Sequence, residues 1–221
     1  MLKICVILIR EGSIRLRGKN IKILGGKPLC FWTIDQALDS EIFDEIWISS
    51  DSDEYLSLCE NYYRDLCKYI KRPDFVSLES STTYDTLSFL FENSVYENFL
   101  FVNLQVTSPF RDTYDIINSL ETYQKKGVDH LVSVVKSPYV KDLNMKVEDG
   151  LVVSDVKNNF ETYYYPNGSI WISSKLAYLR DRTFYTKRTA IYEMDRFKSQ
   201  DINDEYDFLL CELLCGRFFN N

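Results

Sequence analysis

The chain has one histidine in 221 residues, His130, and it opens the apolar stretch HLVSVV. A histidine there suits a buried strand better than catalysis, and no Ser–His–Asp or Cys–His set can be assembled around it. The six cysteines form no CxxC pair. The closest two, Cys211 and Cys215, stand four apart in an apolar helical pattern, a spacing that favours core packing over metal ligation. Reduced thiols in a cytoplasmic protein are therefore expected. No apolar run approaches the roughly 20 residues of a membrane helix. The opening MLKICVILIREGS has neither the longer apolar stretch nor the small-residue cleavage site of a secretory signal. Repeats, low-complexity tracts and long linkers are also missing, so one domain over residues 1–221 is expected.

What is present is an ordinary soluble mix, with 45% hydrophobic and 27% charged residues. The net charge of −7 argues against general nucleic-acid binding, but its distribution is uneven. Residues 1–27 hold seven basic residues and the single acid Glu11, a local +6, while the remaining 194 residues carry −13. A basic island on an acidic body suits a small polyanion such as a nucleoside triphosphate.

Hydrophobic periodicity alternates between strands and helices. Strands are expected at Lys3–Ile9, Glu45–Ser49, Lys68–Ile70, Phe99–Leu104, His130–Val135, Gly168–Ile172 and Ala190–Glu193. Helices are expected from Leu29, over Asp51–Leu66, Ser81–Asn98, Thr113–Lys126, Ser173–Leu179 and Asp204–Phe218. A hairpin is expected where Asn144–Val147 meets Leu151–Ser154 across an Asp-Gly turn. This order predicts an α/β fold with a doubly wound, mostly parallel sheet and a small β-rich insertion over 137–167.

Ligands in such sheets bind beyond the carboxyl ends of the strands. Three loops lie there. In Arg10–Asn20, glycines admit backbone N–H groups to a phosphate and cations offset its charge, although a solvated basic loop has the same composition. It is not a P-loop, which would need Ser or Thr at Asn20. In Leu104–Arg111, Gln105 can hydrogen-bond a base or sugar, or the segment can serve only as a helix entry. In Ser199–Asp204, clustered Asp and Asn oxygens suit either Mg²⁺ beside a triphosphate or the cap of the closing helix.

Taken together, these loops resemble one family, the acylneuraminate cytidylyltransferases. The family pattern I-x-A-R-x-G-S-K-x-[IL]-x-x-K-N stands here as ILIREGSIRLRGKN. Further matches, in family order, are Gly26-Lys27-Pro28-Leu29, Ile48-Ser49-Ser50-Asp51-Ser52, Arg72-Pro73, Leu104–Arg111, Asn167-Gly168-Ser169-Ile170-Trp171-Ile172 and Ser199-Gln200-Asp201-Ile202-Asn203. The resemblance implies a three-layer α/β/α nucleotidyltransferase fold of Rossmann-like type, a homodimer formed with the help of the insertion, and CTP and Mg²⁺ as substrate and cofactor. It implies that the anomeric hydroxyl of an acidic nine-carbon sugar attacks the α-phosphate of CTP and releases pyrophosphate.

By the same resemblance, Arg10, Gly12, Ser13, Lys19, Asn20 and Arg72 fall on the nucleotide side, with Arg10, Lys19 and Asp201 central to catalysis. Gln105, Lys141, Tyr165 and Asn167 fall on the sugar side, and Asp201 with Asn203 on the metal. The chain departs from the pattern at Ile9, where the family has a small residue, and at Ile14, where it has lysine. Tyr165 replaces an arginine that meets the sugar carboxylate, and Asn203 replaces the second metal-site aspartate, removing one negative charge. A sialic-type acid is the expected acceptor. A legionaminic-type acid, or a nucleotide-binding relative without catalysis, are the alternatives.

Overall fold

Both faces of the stretch Lys3–Ile9 (β1) are buried, which makes it an internal strand of a sheet. Ile4 and Val6 enter one hydrophobic core, while Cys5, Ile7 and Ile9 enter a second on the opposite face. In this computed structural model, residues 1–221 are described except 14, 79, 138–146, 149–150, 153–162 and 219–221.

Six further strands complete the sheet: Glu45–Ser50 (β2), Lys68–Lys71 (β3), Leu100–Leu104 (β4), His130–Lys136 (β5), Tyr164–Ser174 (β6) and Thr189–Glu193 (β7). Their spatial order is 3-2-1-4-6-5-7. Neighbours run parallel except β6, which is antiparallel to both β4 and β5. Helices Leu29–Asp39 (α1), Asp53–Tyr63 (α2), Thr83–Glu92 (α3), Thr113–Lys126 (α4), Lys175–Asp181 (α5) and Glu205–Phe218 (α6) cover it. Residues of α1, α2, α4 and α6 pack into the core of Cys5 and Ile7, while residues of α3 and α5 pack with Ile4 and Val6. The result is the expected three-layer α/β/α arrangement.

Caps fix helix ends that periodicity left open. Helix α3 begins at Thr83 because Thr82 and Asp85 form a reciprocal capping box, and it ends at Glu92, well short of Asn98. Ser174 accepts a hydrogen bond from Ala177 N and moves the start of α5 to Lys175. Strand β6 is longer than Gly168–Ile172, because Tyr164, Tyr165 and Pro166 pair with Lys136, Val135 and Val134. Its register with β5 shifts between Pro166 and Trp171, so the Asn167-Gly168-Ser169 stretch bulges at the end of the sheet where the loops gather. In the expected insertion, Val147–Glu148 pairs antiparallel with Leu151–Val152, and most of the remainder, including Lys141, lies outside the described residues.

His130 is fully buried, with Nε2 2.8 Å from Asp181 Oδ2, a structural position. All six cysteines are free and buried. Among the described residues no helix is long and apolar enough to cross a membrane.

One buried cation ties the sheet's centre together. Arg111 is 1% exposed, and its Nη1 donates to Ser169 O at 2.8 Å and to Gln105 O at 3.4 Å. Its Nη2 donates to Thr33 Oγ1 of α1 at 2.9 Å. Burial lowers its pKa to about 10, within a range where the guanidinium is still charged at neutral pH. Arg111→Met strands these acceptors in the interior and is expected to cost about 2–4 kcal/mol. Urea denaturation should show the loss as a lower midpoint at unchanged slope. A midpoint equal to wild type would contradict the structural role given to this guanidinium.

Candidate active site

Strand β1 delivers the chain into the loop Arg10–Asn20, and three contacts hold that loop against the sheet. Glu11 N donates to Asp51 Oδ1 beyond β2 at 3.0 Å, Asn20 Nδ2 donates to Arg10 O at 2.7 Å, and Leu16 is buried in the core. The loop's cations then reach across the cleft. Lys19 Nζ donates to Ile202 O at 2.8 Å, and Arg15 Nη2 donates to Asn203 Oδ1 at 3.0 Å. Arg10 Nη1 donates to Leu78 O at 3.1 Å. Burial lowers the Lys19 pKa, and the nearby Asp201 carboxylate partly offsets that.

This loop and the end of β4 enclose a cavity of about 430 Å³, lined by Arg10, Ser13, Arg15, Lys19, Asn20 and Gln105 among others. A second cavity, about 510 Å³, is lined by Gln105, Tyr165, Asn167, Trp171, Arg196 and Asp201 among others. Gln105 lines both, so the two spaces adjoin at its side chain. The bulge makes this possible. Gly168 adopts φ +72°, and a Cβ there would come within 2.8 Å of Gln105 Oε1, so only glycine lets the glutamine lie against the backbone.

Asn167 lines the second cavity with its amide already engaged. Its Oδ1 accepts from Ser133 Oγ at 2.6 Å and from Ser169 N at 3.2 Å, and its Nδ2 donates to Ser199 Oγ at 2.8 Å. It ties the bulge to the loop after β7. Trp171 carries a buried indole N–H with no acceptor among the described residues.

The two readings of Ser199–Asp204 divide by residue. Asp204 Oδ1 accepts from Asp207 N at 3.1 Å, and Asp207 Oδ2 accepts from Asn203 N at 2.8 Å, which is helix-cap chemistry. Asp201 is not part of that cap. Its Oδ2 accepts from Asn203 Nδ2 at 2.9 Å, while its Oδ1 is shielded from solvent and has no partner among the described residues.

Most of the residues singled out in the sequence therefore converge. Arg10, Ser13, Lys19 and Asn20 line the first cavity, Tyr165, Asn167, Asp201 and Asn203 line the second, and Gln105 joins them. Two stand apart. Gly12 lines a neighbouring space of about 480 Å³ with Ser13, Arg17 and Tyr55. Arg72 is 2% exposed and donates to Ser49 O at 2.5 Å and Ser77 Oγ at 2.7 Å, with Asp51 at 3.6 Å. It is tied to the loop through Asp51, the acceptor for Glu11 N, and feels the charge of Arg10. The sequence gives Arg196 no place and Trp171 no role beyond its position in the Asn167–Ile172 match. A lone arginine in a polar turn and a tryptophan in a strand carry no spacing signal.

The family model described as cytidylyltransferase matches residues 4–212. The N-acylneuraminate cytidylyltransferase of Streptococcus agalactiae is 36% identical over 221 residues, covering 95% of this chain and 52% of that protein. The chain thus spans about half the length of that relative. The CMP-N,N'-diacetyllegionaminic acid synthase of Legionella pneumophila is 29% identical, covering 96% of this chain and 95% of that protein. Among solved structures, a CMP:2-keto-3-deoxy-manno-octonic acid synthetase complexed with CTP superposes with a TM-score of 0.74 at 14% identity, covering 98% and 99% of the two chains. That likeness is one of fold.

The cation cluster generates a test that needs no nucleotide. Inorganic tripolyphosphate should raise the melting temperature, because an anion that binds only the native state stabilises it. Because the Lys19 pKa is lowered, its charge is lost earlier as pH rises, and the stabilisation should shrink on the alkaline side. Lys19→Arg should retain it there, and Lys19→Gln should lose most of it at neutral pH. A tripolyphosphate shift that ignores both substitutions would show that the cavity does not hold phosphate through Lys19.

Proposed function

The chain belongs to the cytidylyltransferase family, and from that premise we propose that it transfers CMP from CTP to the anomeric hydroxyl of an acidic nine-carbon sugar. The observation that carries this reading is the junction at Gln105. A cation-lined space large enough for a nucleotide opens there onto a second space lined by hydrogen-bonding groups. That is the geometry needed to bring a hydroxyl and a phosphate together.

In this reading the triphosphate lies against Arg10, Ser13, Lys19 and Asn20. Their positive charge and donors take up the charge that develops as the bond from the α-phosphorus to pyrophosphate breaks. The acceptor hydroxyl oxygen forms the new bond to phosphorus, its proton passes to solvent, and pyrophosphate carries away the leaving electron pair. No covalent intermediate on the protein is required, which suits a site without a nucleophile–base pair. Gln105 orients the sugar at the seam, and Asn167 acts as a positioning residue through the bulge.

The donor set also fits a divalent cation. Asp201 offers an unpartnered carboxylate oxygen, and Asn203 a neutral oxygen now bonded to Arg15. Among the described residues no cluster of three His, Cys, Asp or Glu side chains gathers. Mg²⁺, which takes one or two carboxylates together with substrate phosphates, is the cation this site suits, and it would neutralise charge on the leaving pyrophosphate.

A homodimer formed through the 137–167 segment belongs to the same proposal. A legionaminic-type acceptor is the second reading, favoured by the end-to-end match to the Legionella synthase. The test is pyrophosphate release from CTP, with and without Mg²⁺, on addition of N-acetylneuraminate or N,N'-diacetyllegionaminate. Release is expected with at least one acid, only with Mg²⁺, and not when ATP or GTP replaces CTP. CTP binding with no release for either acid would contradict the proposal and leave a nucleotide-binding protein without this activity.

A further inference from the structure

The second cavity holds an unused cation. Arg196 lines it, is exposed, and among the described residues its guanidinium has no hydrogen-bond or ion-pair partner. The neighbouring cations of the cleft are all engaged: Arg10 with Leu78 O, Arg15 with Asn203 and Lys19 with Ile202 O. Asp201, on the same cavity, repels any anion that enters. Tyr165, also on the wall, has no charge to offset it. A neutral sugar needs no cation in this space, but an acidic one does.

The turn that carries Arg196 is well fixed. Asp195 Oδ1 accepts from Phe197 N at 2.7 Å, and Asp195 O accepts from Ser199 Oγ at 2.8 Å. Arg196 O accepts from Gln200 Nε2 at 3.0 Å. The Phe197 ring stacks on Phe110, with centroids 5.3 Å apart and planes 18° from parallel. The backbone is thus anchored on both sides of a side chain that makes no bond of its own to the described residues. A planar guanidinium matches a carboxylate with two parallel hydrogen bonds, which an ammonium does not.

We infer that Arg196 binds the carboxylate of the acceptor sugar and so selects acids over neutral sugars at this site. The inference rests on the functional reading above, in which the acceptor is an acidic sugar. It gives the positive charge at the sugar end to the loop after β7, and leaves Tyr165 as a neutral wall.

The test is steady-state kinetics on the full chain at saturating CTP, using whichever of N-acetylneuraminate and N,N'-diacetyllegionaminate turns over, together with its C1 carboxamide. Arg196→Gln is expected to raise the acceptor KM roughly 10- to 100-fold, the effect of losing a charge-assisted pair, while the KM for CTP stays at the wild-type value. Arg196→Lys should recover part of the loss. Wild type should prefer acid over amide by a similar factor, and Arg196→Gln should show no preference. An unchanged acceptor KM in Arg196→Gln, with a raised one in Lys141→Gln, would place the carboxylate on Lys141 and overturn the inference. Turnover of neither acid would overturn the functional reading, and this assignment with it.

Discussion

The guanidinium of Arg111 is the constraint on which the site depends. It is a charge held in the interior, and it is tolerable there only because Ser169 O, Gln105 O and Thr33 Oγ1 all accept from it. Those three acceptors belong to the bulge of β6, the end of β4 and the first helix. Engaging the two Nη groups of one cation therefore fixes the separation of three elements at the point where the two cavities meet. Gly168 completes the arrangement by leaving room for the Gln105 side chain.

Around that fixed centre, charge is placed asymmetrically. The basic island of residues 1–27 becomes a loop whose cations reach across to Ile202 and Asn203, while Asp201 keeps an oxygen with no partner among the described residues. Each of these contacts is one that an anion and its counter-cation could replace. On the proposed function, such a site would accelerate a phosphoryl-group transfer by holding the reactants and stabilising charge, with little need of proton-relay residues. The single histidine, remote in role and bonded to Asp181, is consistent with that division of labour.

Much of this was legible in the sequence, for identifiable reasons. Buried strands advertise themselves through short, nearly continuous apolar runs, so β1, β4 and β5 were found close to their true ends, as was the loop that follows β1. The convergence of Arg10, Lys19, Gln105 and Asp201 followed from the order of motifs at strand ends. What stayed hidden depends on partners distant in the chain. The extension of β6 through Tyr164 and Tyr165 is set by pairing with β5 and has no local signature. Arg72 carries the same charge as Arg10, yet only the fold shows it buried behind Asp51. Whether Asp204 caps a helix or faces a ligand is decided by Asp207 three residues on. Arg196 has no pattern at all, because its significance lies in the cavity beside it.

The central claim is spatial: nucleotide in one cavity, acceptor in the other, and the reacting phosphorus at the seam. A crystal structure with CTP and Mg²⁺ bound tests it most directly. The account predicts the triphosphate against Arg10, Ser13, Lys19 and Asn20, with the α-phosphorus beside Gln105 at the mouth of the second cavity. A nucleotide seated instead in the separate cavity of about 570 Å³ walled by Trp32, Phe110 and Phe197 would contradict it.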